Sequence, residues 1–201
     1  MTTLLVRSAP AAAARRTTQR LLTCSDVAAL PLRLPTGDVR YELDDGELIV
    51  MPPPGDTHGA IQSNLVTELK VGGERVDHGR ARSEVGIILW RDPDRLVGAD
   101  VAFIANRSLP LIVSSEGYLE TIPELVGEVR SKNDSDDEVN EKVADYLTAG
   151  VRVVWVLDPA TTCVIEHRRD QPPRVFGKDE DLTVEDVIPG FRVLVADLFR
   201  V

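Results

Sequence analysis

The chain has 201 residues, 43% of them hydrophobic and only 4% aromatic. That is enough for one domain with a real core, built from aliphatic side chains, and too little for two full domains. The formal net charge is −10, which argues against a nucleic-acid partner, since phosphate binding usually leaves a basic footprint. Carboxylates gathered around a metal ion would relieve that objection locally, because a bound cation reverses the local charge. No apolar run is long enough to span a bilayer.

Residues 1–22 read as a disordered basic arm. Arg7, Arg15, Arg16 and Arg20 are its charges, set among Ala, Ser and Thr, a composition shared with organelle transit peptides. The remainder, 23–201, reads as a single domain. A short helix is expected over Thr23–Leu30, where Thr23, Ser25 and Asp26 offer N-caps and Pro31 ends the run. Two β-type runs from Arg40 to Met51 flank Asp45-Gly46, a pair that tolerates the positive φ of a tight hairpin turn. After Pro52-Pro53-Pro54, the spacing of Ile61, Leu65, Val66 and Leu69 predicts a helix over Asp56–Val71, ended by Gly72-Gly73.

Strands are expected at Glu84–Trp90 and Gly98–Ile104, with a turn at Asp92-Pro93-Asp94. Leu109–Pro123 is irregular, with a short helical turn near Tyr118. Leu125–Arg130 is the next strand. Ser135 and Glu138 make a capping-box pattern for a helix to Ala149, with Gly150 as its C-cap. Val151–Leu157 is nearly all apolar, as in a strand buried on both faces. Cys163–Arg168 and Val175–Phe176 form a terminal antiparallel pair, and Ile188–Phe199 closes the domain. Cys24 and Cys163 lack metal-ligand spacing and read as two free thiols of a reducing cytoplasm.

Two acids stand out by their setting. Asp100 lies in Val-Gly-Ala-Asp-Val-Ala-Phe and Glu128 in Leu-Val-Gly-Glu-Val-Arg, each inside an apolar strand. An isolated buried carboxylate is costly, so each must be paired, protonated or metal-bound. On neighbouring strands the two would hold one Mg²⁺, which takes one or two carboxylates and keeps several waters. Either acid alone is better explained as facing solvent; the pair favours function. Lys142, on the capped helix, could orient an attacking water, although pairing with Glu138 at i,i+4 is the plainer reading. Lys132 is a second candidate, in a loop. Glu42 and Glu47 flank the hairpin turn, and His58 opens a helix, where it could meet a phosphate or act as a base. There is no phosphate-binding Gly-Lys-Ser/Thr loop, dinucleotide fingerprint, Gly-x-Ser-x-Gly elbow or Cys/His zinc cluster.

The ordered set of segments resembles the Uma-two family of restriction-endonuclease-like proteins. The matching pieces are Tyr41-Glu-Leu-Asp-Asp-Gly-Glu-Leu-Ile-Val-Met-Pro-Pro-Pro54 with His58, Ala99-Asp-Val-Ala-Phe103, and Pro123-Glu-Leu-Val-Gly-Glu-Val-Arg-Ser131. Glu141-Lys-Val-Ala-Asp-Tyr-Leu-Thr-Ala-Gly-Val151, Val154-Trp-Val-Leu-Asp-Pro159 and Val187-Ile-Pro-Gly-Phe191 continue it. The resemblance runs from about Thr23 to Phe199.

It implies a PD-(D/E)XK nuclease fold: α/β, a restriction-endonuclease-like mixed β-sheet flanked by helices, with an N-terminal β-hairpin and a β-rich C-terminal tail. It implies a cytoplasmic, Mg²⁺-dependent endodeoxyribonuclease, with Mn²⁺ as a substitute. Asp100, Glu128 and Glu47 would be its metal-binding acids, and Lys142 and His58 would complete the catalytic set. DNA is the implied partner, and a homodimer would allow both strands of a duplex to be cut. The broader fold places its lysine two residues after the glutamate, where this chain has Arg130; Lys142 matches the position on the following helix. Ala99 replaces the family's usual proline, and Ser131-Lys132-Asn133 replaces Ser-Pro-Ser beside the site. The altered loop and the acidic charge motivate the alternative, an inactive nuclease-fold module that binds nucleic acid or protein.

Overall fold

A computed structural model describes residues 6–7 and 20–201. Most of the expected basic arm therefore lies outside the described residues. Its described part includes β1 (Val6–Arg7), which runs parallel to Leu48–Ile49, and Arg20, which pairs with Asp26 at 2.8 Å. The chain forms two interleaved units. The first comprises Met1–Pro53, Gly86–Gly98 and Val113–Glu120; the second comprises Pro54–Val85, Ala99–Ile112 and Thr121–Val201.

In the first unit, α1 (Cys24–Ala28) starts at a capping box. Thr23 accepts from the Asp26 N–H, and the Asp26 carboxylate takes the Thr23 N–H in return. β2 (Arg33–Leu34) and β3 (Gly37–Asp38) make a small antiparallel pair. β4 (Arg40–Asp44) and β5 (Glu47–Met51) form the expected hairpin, in register from Arg40↔Met51 to Asp44↔Glu47. Its turn residues Asp45 and Gly46 have φ of 47° and 82°, the primed geometry that matches strand twist. A Cβ on Gly46 would also lie 2.7 Å from the Leu21 Cβ, so glycine is required there on two counts. Leu43, Leu48, Cys24, Val27, Ile88 and Leu96 form this unit's core. Burial and the adjacent Asp94 carboxylate push the Cys24 thiol up to about 12. Both cysteines are free.

β6 (Gly79–Trp90) and β7 (Arg95–Ala105) pair with each other and contribute residues to both units. Each is longer than the sequence suggests. Arg80 and Arg82 interrupt the apolar pattern of β6, yet Ala81 between them is buried. The helical turn expected near Tyr118 is instead a turn at residues 115–117, with Gly117 at φ 94°. It returns the chain so that Leu119 bridges Ile87 and Val113.

The second unit is built on the sheet order β7, β8 (Leu125–Val129), β9 (Val153–Asp158), β10 (Cys163–His167), β11 (Arg174–Phe176). β8 is antiparallel to β7 and parallel to β9, with α3 (Asp136–Ala149) between them in sequence; β10 and β11 are antiparallel additions. One sheet face supplies Val101, Phe103, Leu125, Val153 and Trp155 to a core shared with Ile61, Leu65 and Leu69 of α2 (Asp56–Leu69). A Cβ on Gly127 would lie 2.4 Å from Leu65 Cδ2, so this glycine admits α2 onto the sheet next to Glu128. α2 ends at Leu69 rather than Val71, passing into a π-helical turn over Lys70–Glu74. Phe103 occupies the space where Gly73 would carry a Cβ.

α3 begins at the predicted Ser135–Glu138 capping box and ends at Gly150, φ 111°. β12 (Asp181–Thr183), β13 (Arg192–Leu194) and α4 (Val195–Leu198) close the core through Leu182, Val193, Val195 and Leu198. Among the described residues no helix is long and apolar enough to cross a membrane.

Gly46→Val combines a positive φ with a steric clash. It is expected to lower the unfolding free energy by about 2 kcal/mol or more, read as a fall in the midpoint of urea unfolding.

Candidate active site

The register that pairs Val101 with Gly127 and Ala102 with Val126 puts Asp100 across from Glu128. Val101 and Phe103 point into the α2 core, and the acids alternate with them along the strands, at the end of the pair that His58 of α2 also reaches. Both acids therefore belong to the second unit and sit at one end of the β7–β8 pair.

Asp100 is 6% exposed. Its Oδ2 accepts the backbone N–H of Val129 at 2.8 Å, and Gln62 of α2 donates to its backbone carbonyl at 3.0 Å. Backbone donation satisfies one carboxylate oxygen and fixes the plane of the group. His58, in the first turn of α2, places Nε2 3.0 Å from Asp100 Oδ1, yet that nitrogen is buried without a well-aligned hydrogen bond. Burial alone would lower the His58 pKa. The facing Asp100 carboxylate, with the charges of Glu128 and Glu84 around it, outweighs burial and raises the pKa above 6.5.

Glu128 is gripped from α3. Lys142 Nζ lies 3.2 Å from its Oε2, and the Tyr146 hydroxyl donates to Oε1. Lys142 and Tyr146 are four apart on one helix face, so a single helix delivers both groups to one carboxylate. The structure thus sends Lys142 to Glu128, while Glu138 serves the cap at Ser135. Arg130 turns outward to Asp136, and Lys132 is exposed in the turn before α3.

His58, Asp100, Glu128 and Lys142 are accordingly placed within one unit. Glu47 belongs to the first unit, where it faces Asp44 across the hairpin. Glu42 is buried in that unit and accepts the Gly98 N–H at 2.8 Å. Sequence reasoning missed Tyr146 and Gln62 as site residues. The sequence places Tyr146 only within the expected helix to Ala149; its ring is fully buried there, and nothing local points to its hydroxyl. Gln62, a lone amide in the apolar stripe Ile61–Leu65, carried the signal that could have found it.

Among the described residues no three His, Cys, Asp or Glu side chains converge as a preformed metal cage. The donor chemistry nevertheless fits a hexacoordinate divalent ion that keeps most of its waters. Two carboxylates follow the last paired residues at the same end of β7 and β8, and a buried imidazole nitrogen with no aligned partner stands beside one of them.

Fold and site together define a restriction-endonuclease-like α/β protein. The family model for Uma2, described as "Putative restriction endonuclease", matches residues 27–196, and the chain belongs to that family. Its structure is similar to the crystal structure of "a putative nuclease belonging to DUF820" from Anabaena variabilis ATCC 29413. The TM-score is 0.71 at 22% identity, covering 89% of this chain and 97% of the other, which establishes the shared fold. No curated protein matches the chain.

The His58–Asp100 pair has a definite pH signature in the metal-free protein. A folded-state pKa above the unfolded one stabilises the fold at low pH, and that contribution fades as pH rises through the folded value. Imidazole NMR titration is expected to place His58 above 6.5 and to show a fall in Asp100→Asn.

Proposed function

We propose that the protein is a divalent-metal-dependent endonuclease that hydrolyses DNA phosphodiester bonds. The observation that carries this reading is the placing of Asp100 and Glu128 just beyond the paired residues at the same end of adjacent strands, with Lys142 delivered to Glu128 by the next helix.

Asp100 and Glu128 would hold the ion. A bound divalent cation supplies Lewis acidity to the scissile phosphate and lowers the pKa of an attacking water. The Val129 N–H holds one Asp100 oxygen, leaving Oδ1 to face the site. Lys142 orients the water from its place at Glu128 and offsets the negative charge that builds on the phosphate. Tyr146 fixes the Glu128 rotamer. Arg130, at the position where the broader fold carries its lysine, is engaged by Asp136, so the work falls to Lys142.

Cleavage of supercoiled plasmid and of single-stranded DNA, with Mg²⁺, Mn²⁺ or EDTA, tests this reading. Asp100→Asn and Glu128→Gln are each expected to lose at least about 100-fold in rate, and Lys142→Met a similar amount. No cleavage by folded wild type with any metal would favour the non-catalytic binding module that the net charge of −10 suggests.

Tyr146→Phe removes only the hydroxyl from Glu128. It is expected to weaken metal binding about tenfold with little change in thermal stability, measured by calorimetry and by melting.

A further inference from the structure

We propose that His58 is a direct ligand of the divalent ion, sharing it with Asp100, and that the site takes a six-coordinate transition ion such as Mn²⁺ in preference to Mg²⁺. This rests on the metal-dependent reading of the site and specifies the ion.

The geometry of one nitrogen carries the argument. His58 Nε2 is buried, lies 3.0 Å from Asp100 Oδ1, and makes no aligned hydrogen bond there. A divalent cation would answer both groups at once, taking the Nε2 lone pair and Asp100 Oδ1 as adjacent ligands in place of the ring proton. The separation fits as well. Neighbouring positions of an octahedron with bonds of about 2.1 Å are roughly 3.0 Å apart, whereas tetrahedral neighbours at the bond lengths of zinc are roughly 3.4 Å apart.

The pair is also held in advance. Val129 N–H occupies Asp100 Oδ2, so only Oδ1 is presented, and Gln62 on the same helix as His58 ties α2 to the Asp100 backbone. The ring rides on a helix seated against Gly127. Glu128 and Glu84 add negative charge around it, which favours a cation at this point. Magnesium takes oxygen ligands and gives up water reluctantly, while imidazole suits softer first-row ions. A site with one nitrogen, carboxylate oxygens and octahedral spacing therefore discriminates toward Mn²⁺.

The test uses the full chain and the metal alone. Apo protein is titrated with Mn²⁺ and with Mg²⁺ by calorimetry, and the Mn²⁺ form is examined by pulsed EPR for ¹⁴N coupling. Wild type is expected to bind Mn²⁺ at least about tenfold more tightly than Mg²⁺ and to show directly bound nitrogen. His58→Gln is expected to lose the nitrogen signal and about 10- to 100-fold in Mn²⁺ affinity, with its Mg²⁺ affinity little changed. Asp100→Asn should lose both ions. Melting curves confirm that each variant is folded. Mn²⁺ bound at the Asp100-dependent site without ¹⁴N coupling, and equally by His58→Gln, would overturn the assignment of His58 and leave the metal-dependent reading standing. No Mn²⁺ or Mg²⁺ binding by folded wild type would overturn both.

Discussion

The hydrogen bond from the Val129 backbone to the Asp100 carboxylate is the contact on which the site depends. A charge buried in an apolar sheet is tolerable only with partners, and this partner belongs to the backbone of the neighbouring strand. The donor lies one residue beyond Glu128, so the contact that satisfies the first acid also sets its position relative to the second. Strand register does the rest: slipping β8 by one residue would remove the donor and turn Glu128 to the opposite face. Folding of the sheet and assembly of the two carboxylates are therefore one event.

Helices complete the site from two directions. α2 packs into the notch at Gly127 and brings His58 and Gln62 to Asp100. α3 brings Lys142 and Tyr146 to Glu128. Each acid is thereby served by a different helix, and each helix is positioned by the apolar residues on its own stripe. The groups that meet the two acids are a few polar atoms within or beside those stripes.

Local chemistry made much of this legible in the sequence. The Asp45-Gly46 turn, the Ser135–Glu138 box and the Gly150 cap act over a few residues, and the structure has all three. The two strand acids were visible because a carboxylate among valines is conspicuous. What stayed hidden depends on residues distant in sequence. Nothing near Tyr146 indicates that its hydroxyl meets a carboxylate 18 positions earlier. The start of β6 was missed because Arg80 and Arg82 mask the small buried Ala81 between them. The π-helical turn after α2 answers to Phe103, a residue of another strand. Lys142 shows the same limit: the sequence offers Glu138 as its nearest partner, and the fold supplies Glu128.

The four-residue interval between Lys142 and Tyr146 fixes more than the grip on Glu128. Each residue added to a helix turns everything after it by about 100°. A residue inserted within α3 between its Ser135 cap and Lys142 would therefore swing the amine and the hydroxyl off the carboxylate together, and one inserted between Lys142 and Tyr146 would part them from each other. The turn before the helix is tied by its own side chain, since Asp134 accepts the Ser131 N–H at 2.8 Å. The helix thus works as a dial whose setting is its residue count.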